Sequence, residues 1–121
     1  MHHLEIVHRD LTHQNILIMG DLEPVLADFG VAKSENSTTT MNTIVGKEYY
    51  MAPEILSYDR GGYNHKVDIW SLGCIIYFFY EQQVPFESKQ KYANCEIGKP
   101  TNPIMTKEIY GLIISCLKAK P

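Results

Sequence analysis

The reading turns on residues 8–15, His8-Arg9-Asp10-Leu11-Thr12-His13-Gln14-Asn15, and on two tripeptides that follow, Asp28-Phe29-Gly30 and Ala52-Pro53-Glu54. Each tripeptide alone is weak, because short strings recur by chance; their order and spacing after residues 8–15 carry the information. Around this stretch the chain reads as short strands. Ile6-Val7, Ile16-Leu17-Ile18 and Val25-Leu26-Ala27 are β-rich runs, and Gly20-Asp21 with Pro24 supplies the turn chemistry that joins the last two as a hairpin. Residues 33–45 are polar and rich in Ser and Thr, and form a long loop of the kind that is usually functional or disordered.

Beyond the loop the pattern becomes helical. Pro53-Glu54-Ile55-Leu56 opens a short helix, with proline in the first turn where its missing N–H costs nothing. Residues 66–82 form a longer helix that is apolar almost all round, which predicts burial. Trp70, Leu72, Ile75, Ile76, Phe78 and Phe79 face several directions and need neighbours on all sides, so part of this surface is expected to be exposed. A last helix is predicted over 106–119, with Ile109, Leu112, Ile113, Cys116 and Leu117 on one face. Residues 87–105 read as a loop with a short helix. The fold class is therefore α+β, mostly α.

Composition narrows the function classes. A chain of 121 residues allows one domain at most, and 45% hydrophobic with 21% charged residues is an ordinary globular balance. A formal charge of −3 gives no basic field, so nucleic acid and anionic membranes are not expected partners. The apolar run from Ile69 to Tyr80 is too short for a bilayer, which needs about 20 residues. The first residues show no basic stretch followed by an apolar core, so no signal peptide is expected, and the sequence holds no CxxC pair. Cys74, Cys95 and Cys116 lie far apart, which predicts reduced thiols and a cytoplasmic or nuclear location. The sequon Asn36-Ser37-Thr38 is then only a polar loop.

His8-Arg9-Asp10-Leu11 with Asn15 matches the H-R-D-L-x-x-x-N catalytic loop, and Asp28-Phe29-Gly30 and Ala52-Pro53-Glu54 follow in the same order as in that family. The chain thus resembles the eukaryotic protein kinase superfamily, and the resemblance covers essentially all of it. Asp68-Ile69-Trp70-Ser71-Leu72-Gly73 resembles the start of the family's central buried helix. The fold implied is the C-terminal lobe of a kinase, with short β-hairpins carrying the catalytic loop. ATP and Mg²⁺ are the implied cofactors and a protein is the implied substrate. Asp10 would orient the substrate hydroxyl, and Asn15 and Asp28 would hold the metal ions through oxygen, as hard cations prefer. Arg9 would pair with a phosphate on the activation loop, for which Ser37, Thr38, Thr39, Thr40 and Thr43 are the candidate acceptors. His8, Phe29, Gly30, Glu54 and Asp68 would be structural, with Phe29 packed on His8.

The sequence also departs from the family. Thr12 stands where serine/threonine kinases usually carry a lysine that neutralises the transferred phosphate. Lys47 follows Gly46 where a threonine supporting the catalytic Asp is common, and Glu48 stands where proline is frequent. Tyr50-Met51-Ala52-Pro53-Glu54 resembles serine/threonine kinases, which favours that specificity over tyrosine. Residues 1–121 hold no G-x-G-x-x-G loop and no V-A-I-K lysine, and Met1-His2-His3-Leu4 resembles the end of the helix before the catalytic loop. The expectation is a partial kinase domain over 1–121, inactive alone, that acts in signal transduction together with a nucleotide-binding lobe or partner. The alternative from a different class is a non-catalytic, kinase-like (pseudokinase) binding module.

Overall fold

A computed structural model describes Val7, His8 and residues 10–27, 47–56 and 66–118. The hairpin forms where the turn chemistry places it. Strands β1 (Ile16–Ile18) and β2 (Pro24–Leu26) pair antiparallel, with Ile16 opposite Leu26, Leu17 opposite Val25 and Ile18 opposite Pro24. The connection is tight enough to need left-handed backbone at two residues, Asp21 (φ 64°) and Leu22 (φ 61°), and the Met19 N–H donates to the Glu23 carbonyl to close it. Aspartate visits this region readily, but leucine does so at a steric cost.

Four helices follow among the described residues: α1 (Pro53–Leu56), α2 (Lys66–Glu81), α3 (Lys89–Ala93) and α4 (Lys107–Cys116). The long apolar helix is buried as its composition requires. Val67, Trp70, Cys74, Ile75 and Tyr77 on α2 are all essentially inaccessible, while Leu72 and Phe79 are exposed. Its end is set by Gln82, which takes left-handed φ of 56° while its N–H and side-chain amide donate to the carbonyls of Phe78 and Phe79. Those bonds satisfy carbonyls that a helix terminus otherwise leaves orphaned. The Glu81 carboxylate accepts from the N–H groups of Thr101 and Asn102, pinning the chain that leads into α4.

Helices α2 and α4 pack closely because Gly73 has no side chain. A Cβ there would lie 2.7 Å from Cys116 Cβ and 3.1 Å from Leu117. The predicted α4 face is correct in outline but wrong at one position. Ile113 and Leu117 are buried and Ile109 and Cys116 partly so, whereas Leu112 is exposed. The line that meets α2 runs through Ile113 and Leu117, four apart, and Leu112 sits about 100° round from it. Thr106 caps α4 and Ser88 caps α3, each accepting from an N–H three residues on.

An aromatic cluster forms the base under residues 47–51. Trp70 and Phe86 stack at 5.6 Å, Tyr92 from α3 meets both edge-on, and Tyr49 packs on Phe86 and Tyr92. Such pairs contribute roughly 0.5–1.5 kcal/mol each beyond simple burial. Among the described residues, no helix is long and apolar enough to cross a membrane.

Candidate active site

The residues before β1 curl into a single 3-10 turn, His13–Asn15, in which the Asn15 N–H donates to the Thr12 carbonyl at 3.1 Å. The turn brings the Asn15 side chain back over the preceding chain. Its Nδ2 donates to the Asp10 main-chain carbonyl at 2.7 Å. A carbonyl can only accept, so this bond fixes which way the amide faces and leaves Oδ1 directed elsewhere. The Asn15 carbonyl accepts in turn from the Ala27 N–H at 2.7 Å, which ties the end of β2 to the same loop. Asp10 itself is exposed.

Long-range contacts at His8 and Asp10 help to hold the loop. The His8 N–H donates to Asp68 Oδ2 at 3.0 Å, and Asp68 sits almost fully buried in the first turn of α2. Lys47 reaches the Asp10 carboxylate from the other side, with Nζ 3.1 Å from Oδ1 and 3.2 Å from Oδ2. Both side chains of this ion pair keep roughly half their surface in water, at 40% and 49% exposure. A pair of that kind adds no more than about 1 kcal/mol to stability. Its interest is therefore where it sits.

Residues 47–51 owe their position to side chains of α2 and α3. The Tyr49 carbonyl accepts from Trp70 Nε1–H at 3.0 Å and from the Cys74 thiol at 3.2 Å; the Tyr50 carbonyl accepts from the Ser71 hydroxyl at 2.7 Å; and the Met51 carbonyl accepts from the Tyr92 hydroxyl at 2.8 Å. Three consecutive carbonyls are thus bound by the helical base. Burial pushes the Tyr50 and Tyr92 phenols and the Cys74 thiol well above their ordinary pKa values, so all three stay protonated.

His13 links this segment to the loop. Its Nδ1 lies 2.8 Å from the Tyr50 hydroxyl, and its ring stacks on Phe78 of α2 at 3.9 Å. Desolvation lowers the His13 pKa, which favours the neutral ring. The neutral ring and the protonated Tyr50 phenol share this hydrogen bond at Nδ1.

Of the residues singled out by sequence, Asp10 and Asn15 meet directly, and His8 and Asp68 meet through the main chain. Glu54, partly buried in α1, lines a cavity of about 330 Å³ with Lys66, Ile69, Trp70, Ser115, Cys116 and Lys118. Neither Asp10, Asn15 nor Lys47 touches that cavity. Arg9, Asp28, Phe29, Gly30, Ser37, Thr38, Thr39, Thr40 and Thr43 lie outside the described residues. Thr12 is buried at 5% exposure. Sequence reasoning missed the anchoring roles of Ser71, Cys74 and Tyr92 and the His13–Tyr50 contact. The polar Ser71 inside an otherwise apolar helix was the one available signal. Among the described residues, no cluster of three or more His, Cys, Asp or Glu side chains is gathered for a metal.

These contacts join motifs that lie far apart in the chain, and comparison with known proteins identifies the class. The chain belongs to the protein kinase domain family, whose model matches residues 1–121. Among similar curated proteins, the serine/threonine-protein kinase cds1 of Schizosaccharomyces pombe is 37% identical, across 90% of this chain and 26% of its own length. The serine/threonine-protein kinase plk-1 of Caenorhabditis elegans is 36% identical, across 100% of this chain and 19% of its own length. The G2-specific protein kinase nim-1 of Neurospora crassa is 37% identical, across 98% of the chain and 14% of its own length. The chain therefore spans about a quarter or less of each of these relatives.

Proposed function

We propose that this chain is the catalytic-loop half of a serine/threonine protein kinase, which transfers the γ-phosphoryl group of ATP to protein hydroxyls. The observation that carries the reading is the Asn15–Asp10 contact within a match to H-R-D-L-x-x-x-N. Serine/threonine specificity rests on Tyr50-Met51-Ala52-Pro53-Glu54 and on relatives named serine/threonine-protein kinases.

In this reading Asp10 accepts the proton of the substrate hydroxyl and orients its oxygen toward the γ-phosphorus. The bond to the bridging oxygen breaks, and its electron pair leaves with ADP. Asn15 Oδ1, turned away from the Asp10 carbonyl by the amide's own hydrogen bond, and the Asp28 carboxylate are the hard oxygen donors that suit Mg²⁺. The ion, when bound, supplies countercharge to the phosphates. The His8–Asp68 bond keeps the loop seated on α2 while Asp10 remains open to a substrate. Arg9 and a phosphorylated residue among Ser37, Thr38, Thr39, Thr40 and Thr43 would regulate it by charge-assisted pairing.

Because residues 1–121 contain no glycine-rich phosphate loop and no V-A-I-K lysine, they need a nucleotide-binding lobe to act. The cytoplasm or nucleus is the location this reading favours. Retention of Asp10, Asn15 and Asp28 together favours an enzyme over a binding module, which has no need of all three. The test has two arms. Mg·ATP should leave the melting temperature of the isolated 121-residue chain unchanged. The native full-length product should transfer labelled phosphate from ATP to Ser/Thr peptides, and Asp10→Asn should abolish transfer. Full transfer by the Asp10→Asn protein would refute the assignment.

A further inference from the structure

Asp10 lies beside a cation that comes from a distant part of the chain. The loop that carries it has only Thr12 at the next-but-one position, a side chain that is uncharged and buried. Lys47 places Nζ within 3.1–3.2 Å of both Asp10 oxygens and does so from a half-exposed position. A surface pair of this exposure does little for the fold. A site for phosphoryl transfer, by contrast, needs countercharge where the attacked phosphorus and its oxygens will lie.

We propose that Lys47 is a further catalytic residue, the cation that neutralises the transferred phosphoryl group beside Asp10. The proposal rests on the kinase reading above. A substrate hydroxyl bonded to Asp10 sits about 2.7 Å from the carboxylate, and the phosphorus it attacks lies about 3–3.5 Å beyond. An ammonium already on that carboxylate is one swing of a four-carbon stem from the phosphoryl oxygens. As the hydroxyl attacks, its proton passes to Asp10, its oxygen bonds to phosphorus, and the bridging oxygen departs with the electron pair on ADP. Lys47 loses its carboxylate partner's charge at that step, and the phosphoryl oxygens take that place as its counter-ion. Lysine serves as a phosphate-binding point charge without needing a fixed fork geometry. The charge thus comes from the segment that α2 and α3 hold by three carbonyls, rather than from the catalytic loop.

The experiment uses the native full-length product and the variants Lys47→Met and Lys47→Arg, which change a half-exposed side chain. Steady-state transfer to a Ser/Thr peptide gives kcat and KM. Isothermal titration gives the affinities for Mg·ADP alone and for Mg·ADP with aluminium fluoride, which mimics the transferring phosphoryl group. Lys47→Met should lower kcat about 30-fold or more with peptide KM changed less than threefold, and Lys47→Arg should keep most of kcat. Mg·ADP affinity should stay within twofold, while the added tightening from aluminium fluoride is lost in Lys47→Met. A kcat within threefold of the parent overturns the proposal. So does a lowered kcat with that tightening intact, because Lys47 would then only orient Asp10. If the parent protein neither binds nucleotide nor transfers phosphate, the kinase reading itself fails, and the inference with it.

Discussion

Removing the buried carboxylate of Asp68 should release the loop that carries Asp10 from the helical base. Asp68 is only 4% exposed and accepts from the His8 N–H at 3.0 Å, two residues before Asp10. Asp68→Ala leaves that N–H without its acceptor, and a hydrogen bond to a charged group contributes about 1.5–3 kcal/mol. At about 4 °C per kcal/mol for a domain of this size, melting falls by about 6–12 °C. Asp68→Asn keeps an oxygen acceptor for that N–H and loses the charge assistance, so the cost at this bond is about half as large. The same contact is read at one site by hydrogen exchange. With 1.4 kcal/mol per factor of ten, loss of the bond speeds exchange of the His8 amide by about 10- to 150-fold. Urea and thermal unfolding of the parent and both variants, with exchange monitored at His8, measure all of this. If Asp68→Ala and Asp68→Asn are equally stable, or if His8 exchange does not change, the carboxylate does not seat the loop and the reasoning is wrong.

Two further outcomes follow from the same structure. Gly73→Ala and Gly111→Ala gain the same helix propensity, but only the first meets atoms: its Cβ would lie 2.7 Å from Cys116 Cβ, against nothing within 4 Å at Gly111. Gly111→Ala should stabilise by about 0.5–1 kcal/mol, and Gly73→Ala should fall about 1–3 kcal/mol below it in urea titrations. His13 has its pKa lowered by desolvation, so the folded state prefers the neutral ring. Its contribution is fully present above the unfolded value of about 6.5 and is lost as pH falls through the lower folded value. Urea midpoints measured from pH 8 to 5 should therefore decline on acidification, and His13→Gln should flatten that slope.

Much of the fold is legible without coordinates, because it depends on neighbours in the chain. The hairpin follows from β-rich runs around Gly20-Asp21 and Pro24, and the long helix from an unbroken run without proline between Lys66 and Glu81. The match that marks Asp10 and Asn15 is likewise local, since they lie five positions apart and one 3-10 turn brings them together. What sequence could not supply were pairings between residues far apart. Asp68 reaches His8 across 60 positions and Lys47 reaches Asp10 across 37, and nothing in either segment alone says that they meet. Leu112 shows the same division. Its apolar character and helical spacing put it on the predicted face, but the crossing of α4 over α2 at Gly73 chose Ile113 and Leu117 instead. Local propensity and pattern determined which elements form and which residues match the kinase motifs. The direction from which the lysine reaches Asp10, and the helix that bears the loop, depended on side chains packing around Trp70 and Gly73, which only the tertiary structure decides.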